Sequence, residues 1–346
     1  MSSETADESG APDQYEVVVV GGGPGGLTTA LYTTRLNHDT ALIDRGGGRA
    51  AMMVDTHNVI GVPEETSGNE FLSTAKDQLD YYGTDLYQDF VTNVEASDKA
   101  GVRFEVETAS GERFRTESVV FSTGFSDKRA DPPLPRTGKG LHYCLHCDAY
   151  MFRDESVYVM GHDEGAAHVA MIMLNFTDDV DLLLRGEEPQ WSEETDKLVE
   201  AHPIDVIDTE IESMFKEGNS QWLGGFEFED TVELRSTSNR TESGDGTVRE
   251  YKGGFAMYGS EYNNDLAENL GCELNDDGTV AVDEDGKTSV DGVYAVGDIT
   301  QGNNQIPIAM GKGAKAGISL HMELREFPKS LDELEDAPTA AAADDD

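Results

Sequence analysis

Short apolar runs, each closed by a glycine-bearing turn, set the pattern of this chain. Tyr15–Val20 is a β-branched apolar run of the length of a buried strand. The segment 21–36 opens with glycines and then becomes helical, and Thr40–Ile43 predicts a second strand ending at Asp44. Val119–Ser122 predicts another strand, followed by Thr123 and Gly124. Ser156–Met160 starts a second strand-turn-helix unit, with Gly161 in the turn, a helix through about Asn175 and a further strand at Val180–Leu184. Residues 205–255 read as a run of strands broken by a polar turn region at 237–247. Gly292–Val296 reads as a strand running into Gly297 and Asp298, and Lys312–Leu324 as a helix. The same start occurs near residues 15 and 156. It predicts an α/β protein with two Rossmann-like dinucleotide-binding domains, the second inserted into the first. The expected boundaries are a disordered acidic arm at 1–14, a first domain from 15–126 and 251–331, a central domain at 127–250 and a disordered tail at 332–346.

Charge adds a statement about solvent. The 346 residues hold 69 acids against 25 bases, a formal charge of −44, and the acids are spread through every segment. Self-repulsion of this size opposes compaction unless salt screens it, and the Debye length falls to about 3 Å at 1 M. This predicts a protein of a salt-in halophile. Phosphate backbones need basic patches, so nucleic acid is excluded as a partner. No apolar run approaches the roughly eighteen residues that span a membrane. Met1–Asp13 is polar and acidic, unlike a secretion signal, so a cytoplasmic location is expected.

The first turn carries chemistry. Gly21-x-Gly23-x-x-Gly26 follows a strand directly. Gly21 permits the tight turn, Gly23 lets a pyrophosphate approach the backbone, and Gly26 lets the helix pack on the strand. Asp44 ends the next strand, where a carboxylate accepts from a ribose hydroxyl. This motif alone does not separate FAD from NAD. The C-terminal strand ending at Gly297-Asp298 does, since that acid suits a ribityl chain and the next helix start faces a flavin ring. With Gly124 it gives the pattern of a flavoprotein with two dinucleotide folds. Arg49, after Gly46–Gly48, is read as a pyrophosphate contact or as a surface ion pair.

Two of the three cysteines lie in Cys144-Leu145-His146-Cys147, followed by Asp148. Thiols at this spacing close and reopen by exchange, and the adjacent acid can carry the proton that exchange moves. His142, Cys144, His146 and Cys147 also offer four zinc ligands, but they are too crowded for a tetrahedral site built from two elements. His142 and His146 either tune the thiolates or are ordinary hydrogen-bonded side chains. Cys272 reads as a small buried residue.

On these residues the chain, over roughly 15–325, resembles the low-molecular-weight thioredoxin reductases. The resemblance rests on Gly21–Gly26, Asp44, Thr123-Gly124, Cys144–Asp148 and Tyr294–Asp298. Asn58 and Gln305-Ile306 resemble the family's flavin-contacting positions. It implies FAD as cofactor, Cys147 against the flavin, Cys144 attacking a partner disulfide and Asp148 as the acid-base group. It also implies a thioredoxin-like partner, a homodimer and a central domain that rotates.

The second turn departs from the family. Asp163 stands at the second glycine position of Gly161-His162-Asp163-Glu164-Gly165-Ala166, where a carboxylate crowds and repels phosphates. Of the family's basic cluster for the NADPH 2′-phosphate only Arg185 could remain, and Glu187 and Glu188 oppose it. Three routes for electrons stay open: reduced ferredoxin as donor with no NAD(P)H bound, NADH with Glu187 on the ribose, or reverse flow from dithiol to oxygen. The expected function is an FAD-dependent, thioredoxin reductase-like disulfide oxidoreductase, with ferredoxin as the first candidate donor and NADPH as the alternative. A non-catalytic flavin-binding redox sensor is the rival from another class.

Overall fold

The computed structural model describes residues 13–99, 101–232 and 247–329. The tail expected at 332–346, most of the arm and nearly all of the 237–247 turn lie outside these residues. Asp13 and Gln14, assigned to the arm from sequence, instead begin strand β1 (Asp13–Val20), because they pair in register with Phe114 and Arg115.

The first sheet joins β1 to β2 (Thr40–Ile43), β3 (Asp85–Tyr87), β4 (Val91–Ala96), β5 (Phe104–Thr108) and β6 (Arg113–Phe121) in the order β3-β2-β1-β6-β5-β4. A late strand, β17 (Val293–Ala295), adds parallel to β6. Val17 to Val20 run uninterrupted because both faces of β1 are covered. Val17 and Val19 meet Leu27 and Ala30 of α1 (Pro24–Arg35), Leu79 of α2 (Gly68–Tyr82) and Leu320 of α7 (Ile306–Leu324). Val18 and Val20 face the opposite core with Phe104 and Phe121. Burying each such side chain contributes about 1.5–3 kcal/mol.

The second sheet is parallel, in the order β11-β10-β9-β15-β8. Its strands are β8 (Leu141–His142), β9 (Val157–Met160), β10 (Val180–Leu183), β11 (Asp205–Ile207) and β15 (Gly253–Ala256). Thus β15 completes the second sheet, although the boundary read at 250/251 assigned it to the first domain. Helix α4 (Glu164–Met173) packs Ala166, Ala170 and Met173 against Val157 and Val159. Helix α5 (Glu193–Ala201) follows on the same side, and α3 (Leu145–Asp148) precedes β9. An antiparallel sheet of β12 (Ile211–Lys216), β13 (Leu223–Phe228) and β14 (Val248–Glu250) covers Tyr158 and Met160 with Phe226.

The chain crosses between the two units through β7 (Phe125–Asp127) and β16 (Ser260–Tyr262), which pair antiparallel, before α6 (Asp265–Asn269). Helix α7 begins at Ile306 rather than at Lys312, because Pro307 sits in its first turn and Gln305 before it is extended. Among the described residues no helix is long and apolar enough to cross a membrane.

Candidate active site

A cavity of about 800 Å³ lies where the two units meet. Its floor is the turn between β1 and α1. Gly21 has φ +105°, and a Cβ there would lie 2.4 Å from Ser122 O. A Cβ on Gly26 would lie 2.1 Å from Gly21 O, so only glycine lets α1 start this close to the strand. Gly23 is different: a Cβ there would meet Ser122 O alone, at 4.0 Å, so this backbone is open to a ligand. No side chain caps α1, and its first N–H groups are left facing the cavity. These features fit a dinucleotide phosphate.

The other sequence-predicted residues converge on the same space. Asp44, Arg49, Asn58, Gly124, Gly297, Asp298, Gln305 and Ile306 all line it, while Gly26 lies behind the turn. Asp44 also takes an ion pair from Lys76 of α2, at 2.7 Å. Lys76 was missed in the sequence, although Ser67 and Glu70, which bracket the start of α2, carry a capping-box signature. Arg49 is not the surface ion pair of the alternative reading. It is three-quarters buried, pairs with Asp127 at 2.9 Å and stacks on Phe125 at 4.7 Å. Lys312 of α7 holds the 297–301 turn by bonds to Thr300 Oγ1 at 2.8 Å and Gln301 O at 2.9 Å. Burial pushes the Asp298 carboxyl up, against the pull of Arg49 and Lys312. Burial pushes the Lys312 ammonium down, with Asp298 opposing.

Cys144 and Cys147 form a disulfide that lines the same cavity as the glycine turn. Cys144 is the N-cap of α3, and Cys147 N–H donates to its Sγ at 3.1 Å. Gln305 Nε2 lies 3.5 Å from Cys144 Sγ and 3.7 Å from Cys147 Sγ. Asp148 bonds His142 Nδ1 at 2.7 Å. Cys272 is buried, away from this pair, and burial raises its thiol. No group of three or more metal-ligating side chains occurs among the described residues.

A disulfide and a glycine turn that fits a dinucleotide thus line one cavity. The sequence pattern of the pyridine nucleotide-disulphide oxidoreductases matches residues 15–313. The chain belongs to this family. Pyridine nucleotide-disulphide oxidoreductases of the thioredoxin reductase type are FAD flavoproteins, and the open backbone at Gly23 and the uncapped α1 fit that group.

Among its relatives is an alkyl hydroperoxide reductase polypeptide of Staphylococcus epidermidis, 29% identical over 92% of this chain. The chain spans about three fifths of that longer relative, 61% of its length. A thioredoxin reductase of Peptoclostridium litorale is 29% identical, over 90% of this chain and 98% of its own. The solved thioredoxin reductase of Streptococcus pyogenes has the same fold, with a TM-score of 0.77 at 24% identity, covering 92% of this chain and 100% of its own.

Within this pyridine nucleotide-disulphide oxidoreductase the second glycine turn is built differently from the first. Asp163 is the N-cap of α4, and its Oδ1 accepts from Ala166 N–H at 2.9 Å. The carboxylate therefore takes an N–H that a phosphate would need. Glu164 is drawn sideways to Ser192 and Thr195 at the start of α5. Hydrogen bonds from Thr195 and Ser192 hold its carboxyl below the usual range. Arg185 is buried, pairs with Glu210 at 3.3 Å and donates to Asp131 O at 2.7 Å. Its guanidinium is occupied inside the protein, so the one residue that could match the family's 2′-phosphate cluster is already paired.

Proposed function

We propose that this chain is an FAD-dependent disulfide reductase of the thioredoxin reductase type, in which the Cys144–Cys147 disulfide takes two electrons at the flavin site and delivers them to a thioredoxin-like protein. One observation carries the reading: the disulfide and the open Gly23 turn line a single cavity. Gly21 and Gly23, the first N–H groups of α1 and Asp44 would hold the phosphates and ribose of FAD. Arg49, Asn58, Gly124, Gly297, Asp298, Gln305 and Ile306 would line the rest of the group. Bound there, FAD would supply the electron pair that opens the disulfide.

The chain's own groups do the remainder. Cys144, at the helix start, is the attacking thiolate, favoured by the N–H of Cys147. Cys147 resolves the mixed disulfide, and Asp148 moves the protons. Reduced ferredoxin is the donor in this reading, rather than NADPH. Support comes from Asp163 at the phosphate position of α4 and from Arg185 tied to Glu210. The same reading takes the protein as a cytoplasmic homodimer of a salt-in cell, in line with the resemblance and the acid content.

Anaerobic titration of the salt-stabilised flavoprotein with NADPH, NADH and reduced ferredoxin tests it. The flavin should bleach with ferredoxin, and the protein should then reduce a thioredoxin. Bleaching by NADPH at micromolar concentration would overturn the choice of donor. Failure of a dithiol to reduce the flavin would overturn the enzyme reading in favour of a redox sensor.

A further inference from the structure

We infer that His142 is a positioning residue for Asp148, donating from Nδ1 to fix the carboxylate that exchanges protons with the Cys144–Cys147 pair. The inference rests on the disulfide-reductase reading above and names a residue that reading does not use.

His142 and Asp148 belong to different elements. His142 ends β8, the edge strand of the second sheet, and pairs in register with Phe255 of β15. Asp148 ends α3 and lines the cavity beside both cysteines. Their contact, 2.7 Å from Nδ1 to Oδ2, joins the sheet to the redox helix.

The ring is 7% exposed. Phe152 packs edge-on to it with centroids 5.2 Å apart, and Phe255 lies 6.2 Å away. Nε2 is buried and meets no hydrogen-bond partner among the described residues. An ionised carboxylate only accepts, so the 2.7 Å contact places the imidazole hydrogen on Nδ1 and makes the ring a donor to Asp148. One carboxylate oxygen is thereby anchored, and Asp148 is held in the cavity lining together with Cys144 and Cys147.

The proton inventory of exchange shows what this anchoring serves. Asp148 takes the proton of Cys144, and the thiolate attacks the partner disulfide. A Cys144–partner S–S bond forms as the partner S–S bond breaks, and the leaving thiolate takes the proton from Asp148. Asp148 next takes the proton of Cys147, whose thiolate attacks Cys144 Sγ. The mixed disulfide breaks, the Cys144–Cys147 bond forms, and the second partner thiolate takes that proton. One dithiol and one disulfide thus become one disulfide and one dithiol, with no other reactant. A carboxylate free to rotate would meet the leaving sulfur in only some of its rotamers.

The test compares two small disulfides on the salt-stabilised holoprotein, reduced with dithiol and freed of excess dithiol at constant high salt, under anaerobic conditions. Bis(2-hydroxyethyl) disulfide expels a basic alkyl thiolate that needs a proton. 5,5′-Dithiobis(2-nitrobenzoate) expels an acidic aromatic thiolate that leaves without one. Their rate ratio reads proton delivery and cancels changes in the attacking thiol. A general acid contributes about 10²–10⁴-fold, and loss of its orientation should lower the ratio about tenfold in His142→Phe. His142→Asn, whose amide N–H can reach the carboxylate, should restore the ratio to within about threefold of wild type. His142→Leu provides a second apolar variant if the Phe variant does not retain flavin. Asp148→Asn is the control for the acid itself. A lowered ratio in Asp148→Asn with an unchanged ratio in the apolar His142 variants would overturn this inference alone. An unchanged ratio in Asp148→Asn would overturn the role of Asp148 and this inference with it.

Discussion

Asn58 Nδ2 donates to Gln305 Oε1 at 2.6 Å, across 247 residues of sequence. The bond turns the Gln305 amide so that Nε2 faces both sulfurs of the disulfide. After reduction the same N–H would donate to a thiolate, and a bond to a charged group is worth about 1.5–3 kcal/mol. Gln305→Leu should therefore slow iodoacetamide alkylation of the reduced pair about tenfold, by the rule that 1.4 kcal/mol is a factor of ten. Asn58→Ala should slow it less. The double variant should match Gln305→Leu alone, because Asn58 acts through the amide. Additive effects would show that the two residues reach the thiolates separately.

Asp163 is expected to trade ligand affinity for a helix cap. Replacing an N-cap acid by Ala costs about 0.5–2 kcal/mol, and by Gly only a few tenths. Asp163→Ala should lower the urea midpoint measurably and Asp163→Gly barely. Removing a like charge about 4 Å from a phosphate is worth about 1–4 kcal/mol. Asp163→Gly should then bind NADH at least tenfold more tightly than wild type, read by calorimetry at constant salt. Equal affinity would mean that this carboxylate is not what opposes nucleotide binding.

Asp298 makes a pH-dependent contribution to stability. Burial raises its folded-state carboxyl above the unfolded value, so the folded state favours the neutral acid. Its favourable contribution is fully present below the ordinary carboxylate range and is lost as pH rises through the raised value. The stability of flavin-free Asp298→Asn minus that of wild type should thus be lowest at low pH and increase across this window. Urea unfolding at a series of pH values checks the slope. A difference that falls with pH would reverse the assignment of burial as the dominant cause.

The second sheet is tied to the antiparallel sheet by a buried ion pair. Asp181 in β10 is fully buried and accepts from Arg249 Nη2 at 2.6 Å, Arg249 Nε at 3.1 Å and Tyr251 Oη at 2.7 Å. Breaking such a pair from one side costs about 3–5 kcal/mol, because the other charge stays buried. Asp181→Leu should destabilise by that amount in urea. Asp181→Leu with Arg249→Met should recover most of the loss. If the double variant is as unstable as the single, the uncompensated charge is not the cause.

Much of this architecture was legible because strands covered on both faces leave uninterrupted apolar runs, as at Val17–Val20 and Val157–Met160. Helix α2 left no such trace. It buries little beyond Leu72 and Leu79, and most of its remaining residues are half-buried or exposed. With it went Lys76, the partner of Asp44. The start of α7 was read six residues late, at Lys312 rather than Ile306. A Cβ at Gly313 would lie 2.2 Å from Gly25 O, so that glycine serves the approach of α7 to α1. The acid at 163 was visible, while its bond to Ala166 was not, since capping depends on the local backbone. Arg185 looked available because Glu210 and Asp131, which occupy it, are distant in sequence.

The carboxylate of Asp163 also changes what governs the folding of its own domain. Where a helix start waits for a phosphate, occupancy feeds into stability through the ligand's concentration. Here the anion is covalently part of the chain, and its effective concentration never varies. The start of α4 is therefore capped alike in a starved cell and a fed one, without waiting for a ligand.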